Sequence, residues 1–310
     1  QEFPENNAII ICTGDLLDQG GKDFGGIKNG LQKFKESVII PVTEELEIPT
    51  NHFICIPGNH DIDRCADDKI DVKGLISVVR DGCIEDVNAY IKTLKYDNPG
   101  HSKRVSDYKS FEKELYGDTK ENHLTFVGSS FIIKHGEITI GIAGFNTVWN
   151  CSDDNDKDNG ICITELQYRE CTDFIKDCDY KIALMHHPLD WLEKENDSIQ
   201  AWIKTDYNIL LDGHIHTSDT SIITNVYGSL FIDTAPAFEN DIRGSKFKGA
   251  FSNGVNIITV DDDKTEVKHK KCKYVHKIRT YSSESEDILN YVSYSSEEEK
   301  IINKCIKFIK

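Results

Sequence analysis

The sequence contains no long apolar run. No stretch approaches the roughly 18 consecutive apolar residues that a membrane-spanning helix needs, and the first residues lack the charged and then apolar pattern of a signal peptide. These absences argue against a helical membrane protein and against a secreted one. We therefore expect a protein with no membrane partner and a cytoplasmic location.

Paired cysteine motifs are also missing. None of the 10 cysteines forms a C-x-x-C pair, so a zinc knuckle or a thioredoxin-type redox site has no support. Several cysteines, including Cys12 and Cys55, lie inside apolar runs. That placement is typical of buried, reduced thiols in a cytosolic protein.

Positive charge is scarce. The chain has 36 Lys and Arg against 53 Asp and Glu, for a formal net charge of −17, which opposes non-specific attraction to nucleic acid or anionic lipid. Residues 264–279 are a local exception, and they resemble a twisted strand with a basic edge. Such lysines either block edge-to-edge aggregation or contact phosphates, and the sequence leaves both interpretations open.

The order of the predicted elements favours an α/β fold. Short apolar runs at 8–13 and 52–56 enclose a helix-compatible stretch at about 23–47, and a further strand is predicted at 180–185. Residues 124–134 and 137–145 are predicted to form a hairpin. In open α/β sheets the chemistry gathers in loops beyond the carboxyl ends of the strands.

The 310 residues suffice for one large domain with an appendage. We expect a domain over 1–281 that carries a helical insertion at about 62–120. A Ser- and Glu-rich linker and an amphipathic helical tail are expected over 282–310, leading to a further domain. The chain begins with Gln1 and ends in an apolar-periodic stretch, so both ends are expected to be cuts, with a first strand missing at the amino end.

Four polar motifs each follow a predicted strand. They are Gly-Asp-Leu-Leu-Asp at 14–18, Gly-Asn-His-Asp at 58–61, His-His-Pro at 186–188 and Gly-His-Ile-His at 213–216. Together they supply a carboxylate, an amide oxygen and several imidazoles, which is a ligand set for Mn, Fe, Zn or Co. The glycines permit tight turns that bring these ligands close to one another.

In order and spacing, these motifs resemble the calcineurin-like metallophosphoesterase family, over about residues 8–235. The resemblance implies a four-layer α/β/β/α sandwich, the metallo-dependent phosphatase-like fold, in which helices flank two mixed sheets. It also implies two divalent metal ions as cofactors, with Mn²⁺ expected first and Fe, Zn, Mg or Co as alternatives.

The same resemblance implies roles for individual residues. Asp15 is expected to bridge the two ions. Asn59, His186 and His214 are expected to bind the second ion, and His216 the first. The family's ligating histidine directly follows an apolar strand, which favours His186 over its neighbour at 187.

Two further residues are implied to be catalytic. His60 is expected to lie beside the scissile phosphate, where it stabilises developing charge and protonates the leaving oxygen, and Asp61 to hold its imidazole in the required tautomer. His187 stays open as an alternative ligand or as a residue lining the pocket. Asp18 is expected to orient its own loop.

One family motif is missing. The D-x-H motif, which supplies an Asp and a His to the first ion, should precede Gly14, but the thirteen residues before Gly14 contain neither residue type. Either an upstream segment is cut off, or the protein binds one metal or is a degenerate member. The absent initial Met favours a cut.

The sequence around the motifs resembles the phosphodiesterase and nuclease side of the family, in particular bacterial domains fused to STAND-type NTPases in anti-phage defence. We therefore expect hydrolysis of a phosphodiester, in nucleic acid or a nucleotide, by in-line attack of a metal-bridging hydroxide on phosphorus. A phosphomonoesterase acting on proteins or small molecules, and a catalytically silent interaction module, remain the alternatives.

Overall fold

The computed structural model describes the chain in ten segments, which are residues 8–94, 103–153, 155–158, 160–192, 197–215, 219–225, 228–234, 254–260, 266–275 and 280–290. His216 and the predicted tail over 291–310 lie outside the described residues.

The amino-terminal layer is a strand–helix–strand unit, as predicted. Strand β1 (Ile10–Cys12) pairs in parallel with β2 (Phe53–Cys55), with Ile10 opposite Phe53. The connection contains α1 (Ile27–Phe34) and α2 (Ile40–Glu45). A π-helical turn joins the two helices and accommodates Pro41, which has no backbone N–H to donate.

The predicted insertion is helical. It contains α3 (Lys69–Asp81), α4 (Ile84–Ile91) and α5 (Ser106–Tyr116). Its buried Arg104 pairs with Asp67 at 2.6 Å and donates to the carbonyl of Cys151 at 2.6 Å. The bond to Cys151 attaches the insertion to the loop that follows the predicted hairpin.

A seven-stranded mixed sheet forms the centre of the protein, in the order β3-β4-β5-β6-β7-β9-β8. Strands β5, β6, β7 and β9 run parallel, and β3, β4 and β8 are antiparallel to their neighbours. The strands are β3 (Asn122–Leu124), β4 (Gly128–His135), β5 (Ile138–Phe145), β6 (Tyr180–Met185), β7 (Ile209–Asp212), β8 (Asp219–Asn225) and β9 (Gly228–Thr234).

Two helices make the crossovers between the parallel strands. Helix α6 (Glu165–Phe174) connects β5 to β6, and α7 (Asp197–Asp206) connects β6 to β7. Helix α6 begins after Thr164, whose side chain accepts a hydrogen bond from the backbone of Gln167 at 3.2 Å. This cap satisfies a helix N–H group that has no partner within the helix.

Three apolar clusters show the layering. Ile54 of β2 shares one cluster with Ile142 and Leu184 of the large sheet, so the two sheets pack face to face. The outer face of the small sheet packs on α1, and Leu31 is fully buried there. The other face of the large sheet packs on α6, α7 and the insertion, with Ile203 in that cluster. The order helix, sheet, sheet, helix confirms the predicted four-layer α/β/β/α sandwich.

A third, antiparallel sheet corrects two predictions. It contains β10 (Gly254–Val260), β11 (Glu266–Val275) and β12 (Thr280–Asn290), with β11 in the middle. The basic segment is therefore a central strand and not an edge. Residues 282–290, which were predicted to belong to a linker, are instead part of β12, which pairs along β11 with Glu286 opposite Lys270. Pairing of these residues with β11 therefore outweighs their Ser- and Glu-rich composition, which is typical of a linker.

No helix in the described part of the chain is both long enough and apolar enough to cross a membrane. The cysteines whose side chains are described are reduced thiols. Six of them are buried or half-buried, namely Cys12, Cys55, Cys151, Cys162, Cys171 and Cys178.

Candidate metal centre

The loops after β1 and β2 are in unusually close contact. Gly14 has φ of +99°, and a Cβ atom there would lie 2.7 Å from the Cα of Gly58. A Cβ on Gly58 would in turn collide with the backbone of Asp15. Only glycine at both positions lets the two loops approach this closely, which places Asp15 beside the loop that carries Asn59.

His186, directly after β6, is the centre of the site. Its Nδ1 lies 2.8 Å from the carbonyl oxygen of Thr13, and a carbonyl only accepts, so Nδ1 carries the proton and Nε2 presents a lone pair. Nε2 lies 3.1 Å from Nδ1 of His214, 3.4 Å from Oδ1 of Asn59 and 3.5 Å from Oδ1 of Asp15. Four candidate ligand atoms therefore converge at the carboxyl ends of four strands, β1, β2, β6 and β7.

This donor set fits a divalent cation. The oxygens of Asn59 and an ionised Asp15 only accept, and Nε2 of His186 holds a lone pair, so at most one of the four atoms has a proton to share. Burial lowers the pKa of His186 to about 4, and burial together with neighbouring histidines lowers that of His214 to about 3. Both imidazoles are therefore neutral at pH 7, the state that ligates metal.

The carboxylate of Asp15 is held in its ionised form. Burial opposes ionisation, but His186, His60 and the backbone N–H of His60, which donates to Oδ1 at 3.0 Å, together lower its pKa. Asp15 and His214 also adopt left-handed backbone conformations, with φ of 55° and 67°. Side chains other than glycine rarely do so, and such conformations cluster at ligand sites.

His187 points toward a different neighbour. It is fully buried, its Nδ1 lies 2.9 Å from the hydroxyl of Thr147, and its Nε2 lies 3.6 Å from Oδ2 of Asp156. Ligand atoms of His186, His187 and His214 all lie within 4.8 Å of one another. The nitrogen that faces Asp15 nevertheless belongs to His186, so the geometry favours His186 over His187 as the ligand.

His60 is partly exposed at the edge of this cluster. The backbone N–H of Gln19 donates to its Nδ1 at 3.0 Å. An Nδ1 that accepts carries no proton, so the neutral ring has its proton on Nε2. His60 thus presents one N–H donor.

Asp61 does not orient His60, which corrects the prediction. Its buried carboxyl group accepts hydrogen bonds from the backbone N–H groups of Leu17 at 2.9 Å, Leu16 at 3.1 Å and Gly58 at 2.9 Å. Burial and the neighbouring Asp15 carboxylate raise its pKa to about 8, and the backbone N–H groups oppose that shift. The tautomer of His60 is instead set by a backbone amide, which no side-chain motif reveals. Asp61 fastens the two loops together.

A family model described as calcineurin-like phosphoesterase matches residues 1–218. The chain belongs to the calcineurin-like phosphoesterase family. A search of curated proteins found no match.

Solved structures related to this phosphoesterase are distant. Vps29 from Entamoeba histolytica in complex with Zn²⁺ is 13% identical over 52% of this chain and 59% of its own, with a TM-score of 0.24. A putative 5'-nucleotidase from Staphylococcus aureus is 13% identical over 74% of this chain and 45% of its own, with a TM-score of 0.29. SoxB from Thermus thermophilus is 10% identical over 96% of this chain and 42% of its own, with a TM-score of 0.38. The chain thus spans about three-fifths of Vps29 and under half of the other two.

Within this phosphoesterase, most of the candidate residues lie together. The structure brings together the four expected ligands of the second ion and places His60 beside them, at the positions Asp15, Asn59, His186 and His214. Of the residues expected at the first ion, Asp15 is described and His216 is not. The family match supports a phosphoester hydrolase that uses divalent metal.

One residue at the site was missed by the sequence analysis. Asp156 lies in the acidic loop at 151–160, yet it is only 3% exposed and accepts from the Nδ2 of Asn59 at 2.6 Å. Burial disfavours its charge, but contacts from His187, Cys151 and Asn59 outweigh burial and lower its pKa to about 2. Nothing in the sequence distinguishes this aspartate from its exposed neighbours.

Proposed function

We propose that this chain is a metal-dependent phosphodiesterase that acts on nucleic acid or on a nucleotide-derived diester. Asp15, Asn59, His186 and His214 would hold one divalent ion, and Asp15 with His216 would contribute to a second. The convergence of the four atoms around Nε2 of His186 is the observation that supports this proposal most strongly.

Divalent ions bound there would neutralise phosphoryl oxygens and generate a nucleophile from water at neutral pH. The chain's own residues prepare the site for them. The carbonyl of Thr13 fixes the tautomer of His186, which keeps a lone pair directed at the centre. Asp15 supplies the negative charge that offsets part of the charge of the ions.

His60 supplies a hydrogen bond. Because the N–H of Gln19 occupies Nδ1, the neutral ring has its proton on Nε2, where it is available to an oxygen that gains charge during the reaction. Loss of that proton would leave an imidazolate, so this geometry favours stabilisation of charge over protonation of the leaving oxygen. Removal of one such donor typically lowers kcat by about 10²–10³.

Mn²⁺ is the proposed ion, because a carboxylate, an amide oxygen and two imidazoles suit metals of intermediate hardness. Nuclease activity, an associated NTPase domain and a role in antiviral defence are also proposed. These three rest on the sequence around the motifs and not on the site.

The test is hydrolysis of a chromogenic phosphodiester and the matching monoester by metal-free protein, with and without Mn²⁺. We expect Mn²⁺-dependent hydrolysis that prefers the diester, is lost in Asp15→Asn, and falls by about 10²–10³ in His60→Asn. His123→Asn, at an exposed histidine on β3, is the matched control and should hydrolyse normally. A preference for the monoester would identify a phosphomonoesterase, and Mn²⁺ binding without hydrolysis would favour the silent module.

A further inference from the structure

A buried carboxylate holds the amide of Asn59. Asp156 lies 97 positions away in sequence, and its Oδ2 accepts from the Nδ2 of Asn59 at 2.6 Å, with both side chains almost fully buried. Hydrogen bonds between an amide and an ionised carboxylate are short and roughly twice as strong as neutral ones. This contact is therefore among the stronger polar bonds around the site.

The bond decides which end of the amide faces the centre. A side-chain amide turned by 180° exchanges its oxygen and nitrogen with little steric change, but only the oxygen can ligate a cation. With Nδ2 bound to Asp156, Oδ1 faces Nε2 of His186 at 3.4 Å. The flipped amide would set its oxygen against the carboxylate and its N–H₂ against the bound cation, and both contacts are repulsive.

We propose that Asp156 is a positioning residue that fixes the orientation of Asn59 and thereby raises the affinity of the site for a divalent ion. This inference rests on the proposed function, because it takes Asn59 as a ligand. A partner of this kind typically changes metal affinity or activity by about 10–100-fold.

The loop that carries Asp156 is fastened at both ends. The carbonyl of Cys151 accepts from the buried guanidinium of Arg104 at 2.6 Å, and Nδ2 of Asn150 donates to the carbonyl of Gly160 at 2.6 Å. A carboxylate on a loop held in this way keeps a fixed position. The helical insertion therefore contributes to the metal centre through Arg104.

The carboxylate of Asp156 also belongs to a second group of candidate metal ligands. Ligand atoms of Cys151, Asp156 and His187 lie within 4.8 Å of one another and are all buried. Among the described groups, none hydrogen-bonds to Oδ1 of Asp156 or Nε2 of His187. A role for Asp156 as a direct ligand is therefore the competing explanation that the experiment must separate.

The experiment titrates Mn²⁺ into metal-free protein by calorimetry, which gives affinity and stoichiometry without any substrate. Asp156→Asn should bind Mn²⁺ about 10–100-fold more weakly at unchanged stoichiometry. Asp158→Asn, which removes an exposed charge from the same loop, should bind like the wild type. Hydrolysis by Asp156→Asn should recover toward wild-type kcat at saturating Mn²⁺.

The double variant Asn59→Asp with Asp156→Asn exchanges the amide and the carboxylate. The hydrogen bond is then formed in the opposite direction, with the amide at position 156 donating to the carboxylate at position 59. We expect it to bind Mn²⁺ more tightly than Asp156→Asn does. If Asp156→Asn fails to fold, the double variant, which retains the buried bond, is compared with the wild type instead. It should then at least equal the wild type in Mn²⁺ affinity, and weaker binding would overturn the inference.

Wild-type affinity in Asp156→Asn, or loss of one whole equivalent of Mn²⁺ with the remaining affinity unchanged, would overturn the inference. The second result would make Asp156 a ligand. An absence of hydrolysis by the wild type would count against the proposed function alone, because the calorimetric comparison does not depend on turnover.

Discussion

Replacement of Asp61 by alanine tests how the two loops of the metal centre are held together. The Asp61 side chain is fully buried and accepts three backbone hydrogen bonds, from Leu16, Leu17 and Gly58. Asp61→Ala removes both acceptor oxygens and with them all three hydrogen bonds, whatever the protonation state of the carboxyl group. Each buried N–H left without a partner costs about 1–3 kcal/mol, and water that enters the small space offsets part of that.

We therefore expect Asp61→Ala to lower the free energy of unfolding by about 3–5 kcal/mol, a large share of the 5–15 kcal/mol of a typical domain. Asp61→Asn keeps one oxygen, which retains the bonds to Leu16 and Gly58, and turns its N–H₂ toward the N–H of Leu17. Its loss should be about 1–3 kcal/mol.

The assay is urea unfolding at pH 7 in EDTA, followed by tryptophan fluorescence, with Asp158→Asn as the exposed control. A loss below about 1 kcal/mol in Asp61→Ala would refute the reasoning, since three N–H groups left without a partner cost more than that. Unchanged stability combined with abolished hydrolysis would instead restore the role that the sequence suggested, in which Asp61 acts on His60.

Three other predictions concern pH, backbone geometry and helix capping. His186 and His214 are neutral when folded and have a pKa near 6.5 when unfolded, so the stability they contribute is complete above about pH 6.5 and lost as pH falls toward 4 and 3. In urea unfolding in EDTA, the free energy of unfolding near pH 5 should depend on pH by about 1.4 kcal/mol per pH unit less in His214→Asn than in the wild type, because one of the two histidines that resist protonation is then absent. An equal dependence in the two proteins would contradict the lowered pKa of His214. Gly14→Ala would place a methyl group 2.6 Å from Nδ1 of His186, so calorimetry should show Mn²⁺ affinity at least about tenfold lower; normal affinity would contradict the close loop contact. Thr164→Ala removes the cap of α6 and should lower the free energy of unfolding by about 1 kcal/mol with Mn²⁺ affinity unchanged, and a change in that affinity would contradict a purely local role.

Local sequence patterns predicted the elements that local forces determine. Strand β6 occupies the predicted residues 180–185. A short apolar run with polar residues on both sides is typical of a strand that is buried in a parallel sheet. The predicted hairpin is also present, and its turn is formed by Gly136 and Glu137. Its first strand begins at Gly128 and not at 124, because Thr125 turns back to bond the carbonyl of Gly128.

Elements that depend on distant partners were predicted less well. The Ser- and Glu-rich residues of β12 resemble a linker in isolation, and only pairing with β11 makes them a strand. Asp156 is one acid among several in its loop, and its burial beside Asn59 depends on tertiary packing. Likewise, the backbone N–H that fixes the tautomer of His60 belongs to Gln19, a residue with no motif of its own.

The candidate ligands were the most predictable part of the site. Asp15, Asn59, His186 and His214 each follow a strand, and the carboxyl ends of strands in one α/β unit meet in space. The family resemblance favoured His186 over His187, but the sequence alone does not show which face of the strand carries the site, because adjacent residues leave a strand on opposite faces.

The most direct test of the account is anomalous diffraction from crystals of the protein soaked in Mn²⁺. We predict an anomalous peak within coordination distance of Nε2 of His186, Nδ1 of His214, Oδ1 of Asn59 and Oδ1 of Asp15. A peak between Cys151, Asp156 and His187 instead, or no peak at the four convergent atoms in a crystal that binds Mn²⁺ elsewhere, would contradict the assignment of the metal centre.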